Sequence, residues 1–228
     1  MKRYAVYFVP CANAELWDYG CRAIGYDGLH GRDVPFHAHP FYQRADMADL
    51  TADPRRYGFH GTLKAPFALA EGRTVAELEV AVAEFASTRA PFTCRALQPA
   101  AIGRFLALVP VGPLPMLQDL AADCTRVFDP FRGPLPAADR QRRLKQQLSP
   151  RQIEYLDQWG YPYVFEEFRF HMTLTGRLAD DVKDAALAVL RELYSRHTGP
   201  VTFDAITICE QNARDTRFLV RRQFMLRG

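Results

Sequence analysis

The sequence predicts an α+β fold of two lobes, each an antiparallel sheet with helices on its outer face, related by a pseudo-twofold axis with a cleft between them. Three observations indicate this. The chain has 228 residues, enough for one large domain or two small lobes, and its 48% hydrophobic and 24% charged residues are ordinary for a folded soluble protein. A five-residue phrase occurs twice, as FHGTL at 59–63 and FHMTL at 170–174. Each copy is followed by apolar residues at helical spacing and then by two strand-like segments.

The first half, residues 1–112, opens with a strand rich in aromatic and β-branched residues and continues with a helix that Asn13 can cap. Residues 20–53 are rich in Gly, Pro, His and Asp and predict a long irregular insertion. Thr74 and Glu77 have the spacing of a capping box that starts a second helix. The predicted strands of this half are Tyr4–Val9, Gly58–Phe67, Phe92–Ala96 and Phe105–Val111.

The second half, residues 113–228, repeats this order. Pro115 suits the first turn of a helix, and a polar, basic insertion follows at about 130–160. Within the insertion, Ser149, Pro150 and Gln152 are typical of another helix start. The remaining predicted elements are a strand at Phe168–Gly176, a helix through Val182–Leu193, and strands near Val201–Cys209 and Phe218–Leu226.

The spacing within the halves indicates an internal duplication. Phe92 follows His60 by 32 residues, and Phe203 follows His171 by the same 32 residues. A chance recurrence of the short phrase alone would not bring a matching helix and strands with it.

Each phrase predicts a strand with an apolar back and a polar front, because side chains two residues apart project from the same face. The predicted front residues are His60, Thr62 and Lys64 in the first copy and Arg169, His171, Thr173 and Thr175 in the second. Each front therefore combines an imidazole, a hydroxyl and a cation. Tyr57 lies just before the first copy and is a further candidate for substrate contact.

Two such fronts facing one cavity suit phosphodiester chemistry. Histidine titrates near neutral pH, so one imidazole can act as a base while the other acts as an acid. Threonine hydroxyls can donate to phosphoryl oxygens, and a cation can stabilise the charge of the transition state. A metal site is the main chemical alternative, but neither phrase contains Asp, Glu or Cys, and threonine is a poor ligand for transition metals.

The paired HxTL motifs in a duplicated α+β layout resemble the two-histidine (2H) phosphoesterase superfamily, which includes bacterial RNA 2′,3′-cyclic phosphodiesterase/ligase-like proteins and cyclic-nucleotide phosphodiesterases. The blocks at 57–67 and 149–163 look more narrowly like a bacterial branch encoded beside phosphonate-utilisation genes. The resemblance implies that His60 and His171 are a general base and a general acid, supported by Thr62 and Thr173, with no metal or other cofactor. Which histidine is the base stays open.

Bulk properties limit the other function classes. A net charge of +3 gives no support for general binding to nucleic acid or membrane, although the basic run at 140–151 leaves RNA open as a less favoured ligand. Five scattered cysteines without a CxxC pair fit reduced thiols and a cytoplasmic location. No membrane contact and no obligate protein partner is expected.

The sequence therefore predicts a metal-independent phosphoesterase acting on a small cyclic phosphate, either a cyclic ribose phosphate of phosphonate metabolism or a 2′,3′-cyclic nucleotide. The two alternatives are a non-catalytic module that binds RNA or nucleotides in the same cleft and a metal-binding module.

Overall fold

The computed structural model describes residues 1–197 and 199–228. In these ranges the strands and helices follow one another as β1 (Arg3–Phe8), α1 (Ala14–Ile24), β2 (Tyr26–Asp27), β3 (Arg32–Asp33), α2 (Met47–Leu50), α3 (Ala52–Tyr57), β4 (Gly61–Phe67), α4 (Val75–Ser87), β5 (Phe92–Cys94), β6 (Leu97–Ile102), β7 (Phe105–Pro110), α5 (Pro115–Val127), α6 (Ala137–Leu144), α7 (Pro150–Trp159), β8 (Met172–Thr173), α8 (Asp180–Tyr194), β9 (Val201–Phe203), β10 (Ala205–Gln211) and β11 (Leu219–Met225). Three short 3₁₀ turns lie at Pro40–Gln43, Asp129–Phe131 and Phe165–Glu167. No helix in the described ranges combines the length and the apolar character needed to cross a bilayer.

One seven-stranded antiparallel sheet organises the molecule, in the order β11-β10-β1-β4-β8-β7-β6. The prediction of a separate sheet in each lobe is therefore wrong. The two predicted sheets form a single sheet because β4 and β8, which carry the two phrases, pair directly through Gly61 and Met172. A Cβ atom on Gly61 would lie 2.3 Å from the ring of Phe170, so this close approach requires glycine.

The order of elements after each phrase is the same in the two halves. β4 is followed by α4, the short strand β5 and the hairpin of β6 and β7, whereas β8 is followed by α8, β9 and the hairpin of β10 and β11. The short strands β5 and β9 pair with each other, α4 packs against β10 and β11, and α8 packs against β6 and β7. A pseudo-twofold axis relating the halves stays a prediction.

The main core lies between one face of the large sheet and the helices. Phe59 and Phe170, the first residues of the two phrases, are both buried there together with side chains of α1, α4, α5 and α8. Burying a phenylalanine side chain contributes roughly 1.5–3 kcal/mol, so these positions hold β4 and β8 in place. Both predicted capping boxes, at Thr74–Glu77 and Ser149–Gln152, are present and start α4 and α7.

Three local predictions are corrected. Residues 20–53 are not one irregular excursion, because α1 continues to Ile24 and a small hairpin and short helices follow. The buried carboxylate of Asp27 stabilises this hairpin by accepting hydrogen bonds from the backbone N–H groups of Leu29 and His30. The strand predicted at Phe168–Gly176 shrinks to β8, because the chain before it forms a 3₁₀ turn at Phe165–Glu167, whose end the Arg169 guanidinium binds through the carbonyls of Glu166 and Phe168. The strand predicted at Val201–Cys209 is broken at Asp204 into β9 and β10, whereas the strand predicted at Phe92–Ala96 ends at Cys94 and is followed by β6, which was not predicted.

Candidate active site

The two His-Thr pairs lie on the same face of the sheet, opposite the helical core. Thr62 pairs with Tyr7 of β1, and Thr173 pairs with Ala107 of β7. Gly61 and Met172, which alternate with these threonines, face the core. The predicted apolar back and polar front are confirmed for the His-Thr pair of each phrase, and adjacent strands bring the two pairs together.

His60 directly precedes β4 and is oriented on both sides of its ring. Its Nδ1 lies 2.9 Å from the carbonyl oxygen of Gly58, so Nδ1–H donates there and Nε2 is left as the basic nitrogen. The Thr62 hydroxyl lies 3.2 Å from that Nε2. The ring stacks on Tyr7 with centroids 3.8 Å apart. Burial lowers the pKa of His60 to about 4, and repulsion from protonated His171 adds to this effect.

His171 has the same backbone arrangement but weaker support. Its Nδ1 lies 2.8 Å from the carbonyl oxygen of Arg169, so its Nε2 also faces away from the backbone. Phe105 is its aromatic neighbour, with ring centroids 5.6 Å apart. Burial lowers the pKa of His171 as well, against the opposing effect of the Arg169 carbonyl.

Two adjoining cavities open on this face. The smaller cavity, of about 240 Å³, contains His60 and Thr173 in its wall, and the larger, of about 510 Å³, contains His171. Thr62, Arg143 and Tyr161 border both, so they mark the junction. The combined space is of the size typical for small-molecule sites.

Lys64 is not part of this face, contrary to the prediction from simple alternation. Tyr7 pairs with Thr62 while its neighbour Val6 pairs with Lys64, so β4 carries one extra residue between these pairs. This bulge turns Lys64 to the side of Val6, where it is 5% exposed and forms an ion pair with Asp129 at 3.1 Å. Burial lowers the pKa of the Lys64 amine, and Asp129 opposes that effect. The cation of the first phrase is therefore structural.

Thr175 is also removed from the predicted site. It is 7% exposed, its hydroxyl donates to the carbonyl of Gly176, and it accepts from the backbone N–H of Leu106 at 3.0 Å. The two-residue strand β8 ends before it, so its side chain replaces backbone ladder bonds instead of continuing the front.

Arg169 and Tyr57 do lie at the cavities. Arg169 borders the larger cavity, and its guanidinium donates to the carbonyls of Glu166 and Phe168 without pairing with a carboxylate of the described residues. Tyr57 ends α3 and borders the smaller cavity, where its ring lies 6.2 Å from that of His60.

Sequence reasoning missed several cavity residues because tertiary contacts select them. In the sequence, Tyr7 is one aromatic position of the first strand, and Arg143 belongs to the basic run at 140–151, which indicates no more than RNA as a less favoured ligand. Arg143 instead lies 5.0 Å over the ring of Tyr161 and borders both cavities. α7 ends at Gly160 in the left-handed conformation, φ 72°, and this turn directs Tyr161 to the junction. The sequence signal for Tyr161 was the block at 149–163, which extends just beyond the insertion.

The cavity walls carry more positive than negative charge. The cationic side chains bordering one or both cavities are Arg3, Arg142, Arg143, Arg169 and Arg177. The carboxylates there are Asp139 and Glu167, and Asp139 already pairs with Arg142 and Arg214. The site is therefore suited to an anion. Across residues 1–197 and 199–228, no three His, Cys, Asp or Glu side chains are grouped as a metal site needs.

A family model described as "Protein of unknown function (DUF1045)" matches residues 62–219, a stretch that includes both threonines of the phrases. The chain belongs to this family. It is 35% identical over 217 residues, 92% of its length, to the ribose 1,5-bisphosphate phosphokinase PhnN of Janthinobacterium sp. (strain Marseille), of which it covers 48%. It is 39% identical over 176 residues, 77% of its length, to the protein of the same name from Laribacter hongkongensis (strain HLHK9), of which it covers 40%.

The DUF1045 chain thus spans about half the length, or less, of the curated relatives it matches. Among solved structures, E. coli LigT complexed with 3′-AMP aligns with 100% of this chain and 99% of its own, at 16% identity and a TM-score of 0.43. The DUF1045 match and the PhnN-named relatives confirm the narrower resemblance, of the blocks at 57–67 and 149–163 to a bacterial branch associated with phosphonate utilisation.

Proposed function

We propose that this DUF1045 protein is a phosphoesterase that opens a small cyclic phosphodiester by general acid–base catalysis with His60 and His171. One observation carries the proposal: two imidazoles, each with Nδ1 bonded to a backbone carbonyl and Nε2 directed away from that carbonyl, lie on one face of the sheet at adjacent strands. Their cavities meet at Thr62 and at a guanidinium that no carboxylate of the described residues neutralises.

The surroundings of the two rings favour His60 as the base. Its pKa of about 4 keeps it unprotonated over most of the pH range, and the His171 charge contributes to that lowering, which means that His171 takes up a proton first. A bound phosphodiester anion further favours the protonated form of His171. His171 is then the acid.

The reaction consumes one water and involves no redox change. Nε2 of His60 accepts a proton from the attacking water as its oxygen bonds to phosphorus, and Nε2–H of His171 protonates the ester oxygen that leaves. The hydroxyls of Thr62 and Thr173 donate to the phosphoryl oxygens. Arg143, at the junction, supplies the positive charge that the sequence had assigned to Lys64. The product is a phosphomonoester with a free neighbouring hydroxyl.

A cyclic ribose phosphate is the substrate we favour. The relatives are named for ribose 1,5-bisphosphate. Opening a 1,2-cyclic phosphate of ribose 5-phosphate at the C2 oxygen yields that compound. The 228 residues contain no glycine followed by Lys and Ser or Thr, the pattern of a Walker-type phosphate loop.

A 2′,3′-cyclic nucleotide is the second candidate, because the larger cavity has aromatic walls on which a base could stack. The aromatic side chains that border it are Phe105, Tyr161, Tyr163, Phe165 and Phe168.

The test is a panel of cyclic phosphates incubated with and without EDTA and followed by ³¹P NMR. Ring opening that EDTA leaves unchanged and that both His60→Ala and His171→Ala abolish is the expected result. Binding without turnover would instead support a nucleotide-binding module, and turnover lost with EDTA would support a metal site. Full activity in either histidine variant would contradict the two-histidine mechanism.

A further inference from the structure

The smaller cavity contains a set of hydrogen-bond donors that the two-histidine chemistry does not use. Arg3 of β1 is half-buried there, and its guanidinium donates to the amide oxygen of Gln211 without pairing with a carboxylate of the described residues. Burial lowers the pKa of Arg3, and repulsion from Arg214 adds to this effect. A half-buried cation with only a neutral partner is costly unless an anion joins it.

The hydroxyls around this cation are also unpartnered. Tyr7, Tyr57 and Tyr161 all border the smaller cavity, and none of their hydroxyls forms a hydrogen bond with the described residues. Tyr7 is 1% exposed and its pKa is raised well above the usual value by burial, so it remains a donor. By contrast, the unpartnered hydroxyl of Tyr194 is fully sealed in the protein.

The one carboxylate of this cavity does not balance the charge. Asp139 accepts hydrogen bonds from both nitrogens of the Arg214 fork and pairs with Arg142 at 2.9 Å. Arg3 and Arg143 are left as cations beside phenolic donors. A volume of about 240 Å³ has room for a phosphate group, whereas the larger neighbouring cavity has the aromatic walls.

We propose that the Arg3 end of the smaller cavity is a second anion subsite, which binds a terminal phosphomonoester carried by the same substrate whose cyclic phosphate lies at the junction. This inference rests on the proposed function for the identity of the substrate. Arg3 and the Tyr57 hydroxyl contact the terminal phosphate, which carries a charge near −2. The subsite selects phosphorylated sugars over their unphosphorylated forms by binding, without a part in bond breaking.

The first test compares kcat/KM for a cyclic ribose phosphate with and without a 5-phosphate. The wild type is expected to prefer the phosphorylated form by about 100-fold, since two charge-assisted hydrogen bonds are at stake. Arg3→Met keeps an unbranched apolar side chain but removes the guanidinium, which lies 5.5 Å over the ring of Phe218, and it should reduce the preference to within about threefold through a higher KM. Tyr57→Phe should reduce it by about three- to tenfold.

Arg140→Met is the matched control. It removes the same charge, but from α6, where Arg140 pairs with Asp157 at 2.6 Å and borders neither cavity in the described structure. This variant should keep the preference. A wild type without preference, or an Arg3→Met variant that retains it, would overturn the subsite even if ring opening is confirmed.

The second test separates the subsite from the chemistry. Binding of ribose 5-phosphate, which has no cyclic ester, is measured by calorimetry for wild type, Arg3→Met, Tyr57→Phe and Arg140→Met. Binding at least tenfold weaker in Arg3→Met and unchanged in Arg140→Met supports the subsite even if no cyclic phosphate is turned over. Equal binding by wild type and both subsite variants refutes it.

Discussion

The two copies of the His-Thr phrase have nearly the same sequence and quite different surroundings. His60 enters a seven-residue strand, stacks on Tyr7 and has a threonine hydroxyl at Nε2. His171 enters a two-residue strand after a 3₁₀ turn and depends mainly on the carbonyl of Arg169. Burial lowers the pKa of both imidazoles, to about 4 for His60. In the proposed mechanism, this difference in packing lets a duplicated phrase supply both a base and an acid.

The largest expected effect tests this division of roles. His60→Ala and His171→Ala should each lower kcat on a cyclic sugar phosphate by about 10²–10⁴-fold, the range for losing one proton-transfer group. On an activated diester with a nitrophenolate leaving group, which needs no protonation, His171→Ala should regain most of its activity and His60→Ala should not. Steady-state kinetics on both esters measure this. Recovery in His60→Ala instead would reverse the assignment.

The pH dependence gives a second comparison. Since the pKa of His60 is about 4 and that of His171 is below its usual 6.5, kcat/KM should be greatest between these values and fall on either side. Below about pH 4 the base is protonated, and above the pKa of His171 the acid is lost. An acid limb of kcat/KM with an apparent pKa near 6 would contradict the conclusion that burial lowers the pKa of His60.

The same shift affects stability. The folded state binds fewer protons than the unfolded state between pH 6.5 and about 4, so the free energy of unfolding should be fully retained above 6.5 and decrease as the pH falls. The contribution of His60 is at most about 3 kcal/mol. Urea unfolding of wild type and His60→Asn at pH 7.5 and pH 4.5 measures it, because the variant should lose less stability on acidification.

The cations of the two phrases provide a third comparison. Asp129→Asn leaves Lys64 buried without its carboxylate and should lower the free energy of unfolding by about 3 kcal/mol. Arg169→Ala should leave stability nearly unchanged and lower kcat/KM by about tenfold, since Arg169 borders the larger cavity. Thermal unfolding and kinetics of both variants distinguish them. If Asp129→Asn and Arg169→Ala lose equal activity, Lys64 contributes to the site after all.

The smallest effect concerns the aromatic cover of His60. Tyr7→Leu removes the ring stacked at 3.8 Å and admits water, so the pKa of His60 should rise by about 0.5–1 unit and the acid limb of kcat/KM should move with it. Tyr7→Phe keeps the ring and should leave that limb in place. If both variants shift the acid limb equally, the phenolic hydroxyl of Tyr7, and not the stacked ring, controls the pKa of His60.

Much of the site was predictable because it depends on local periodicity. Strict alternation placed His60 with Thr62 and His171 with Thr173, and the structure puts both pairs on one face. Alternation failed for Lys64, where a bulge in β4 inserts one residue, and bulges leave no clear mark in the sequence. It failed for Thr175 because β8 ends first.

Helix starts were predictable from capping residues, whereas the pairing of distant strands was not. The capping boxes located the starts of α4 and α7, since a side chain that bonds a free backbone N–H acts within three residues. The pairing of β4 with β8, which turns two expected sheets into one, involves residues more than a hundred positions apart. No local pattern encodes such a pairing, because partner strands are selected by the burial of whole faces.

By itself, the sequence determined that two His-Thr phrases exist, that each has an apolar back, and that their halves share an order of elements. The tertiary structure decided that the phrases are neighbours, that His60 is more enclosed than His171, and that Arg3 and Arg143 reach their cavities. Residue types and spacing act over a few positions along the chain, whereas desolvation, stacking and charge balance depend on which distant segments pack together.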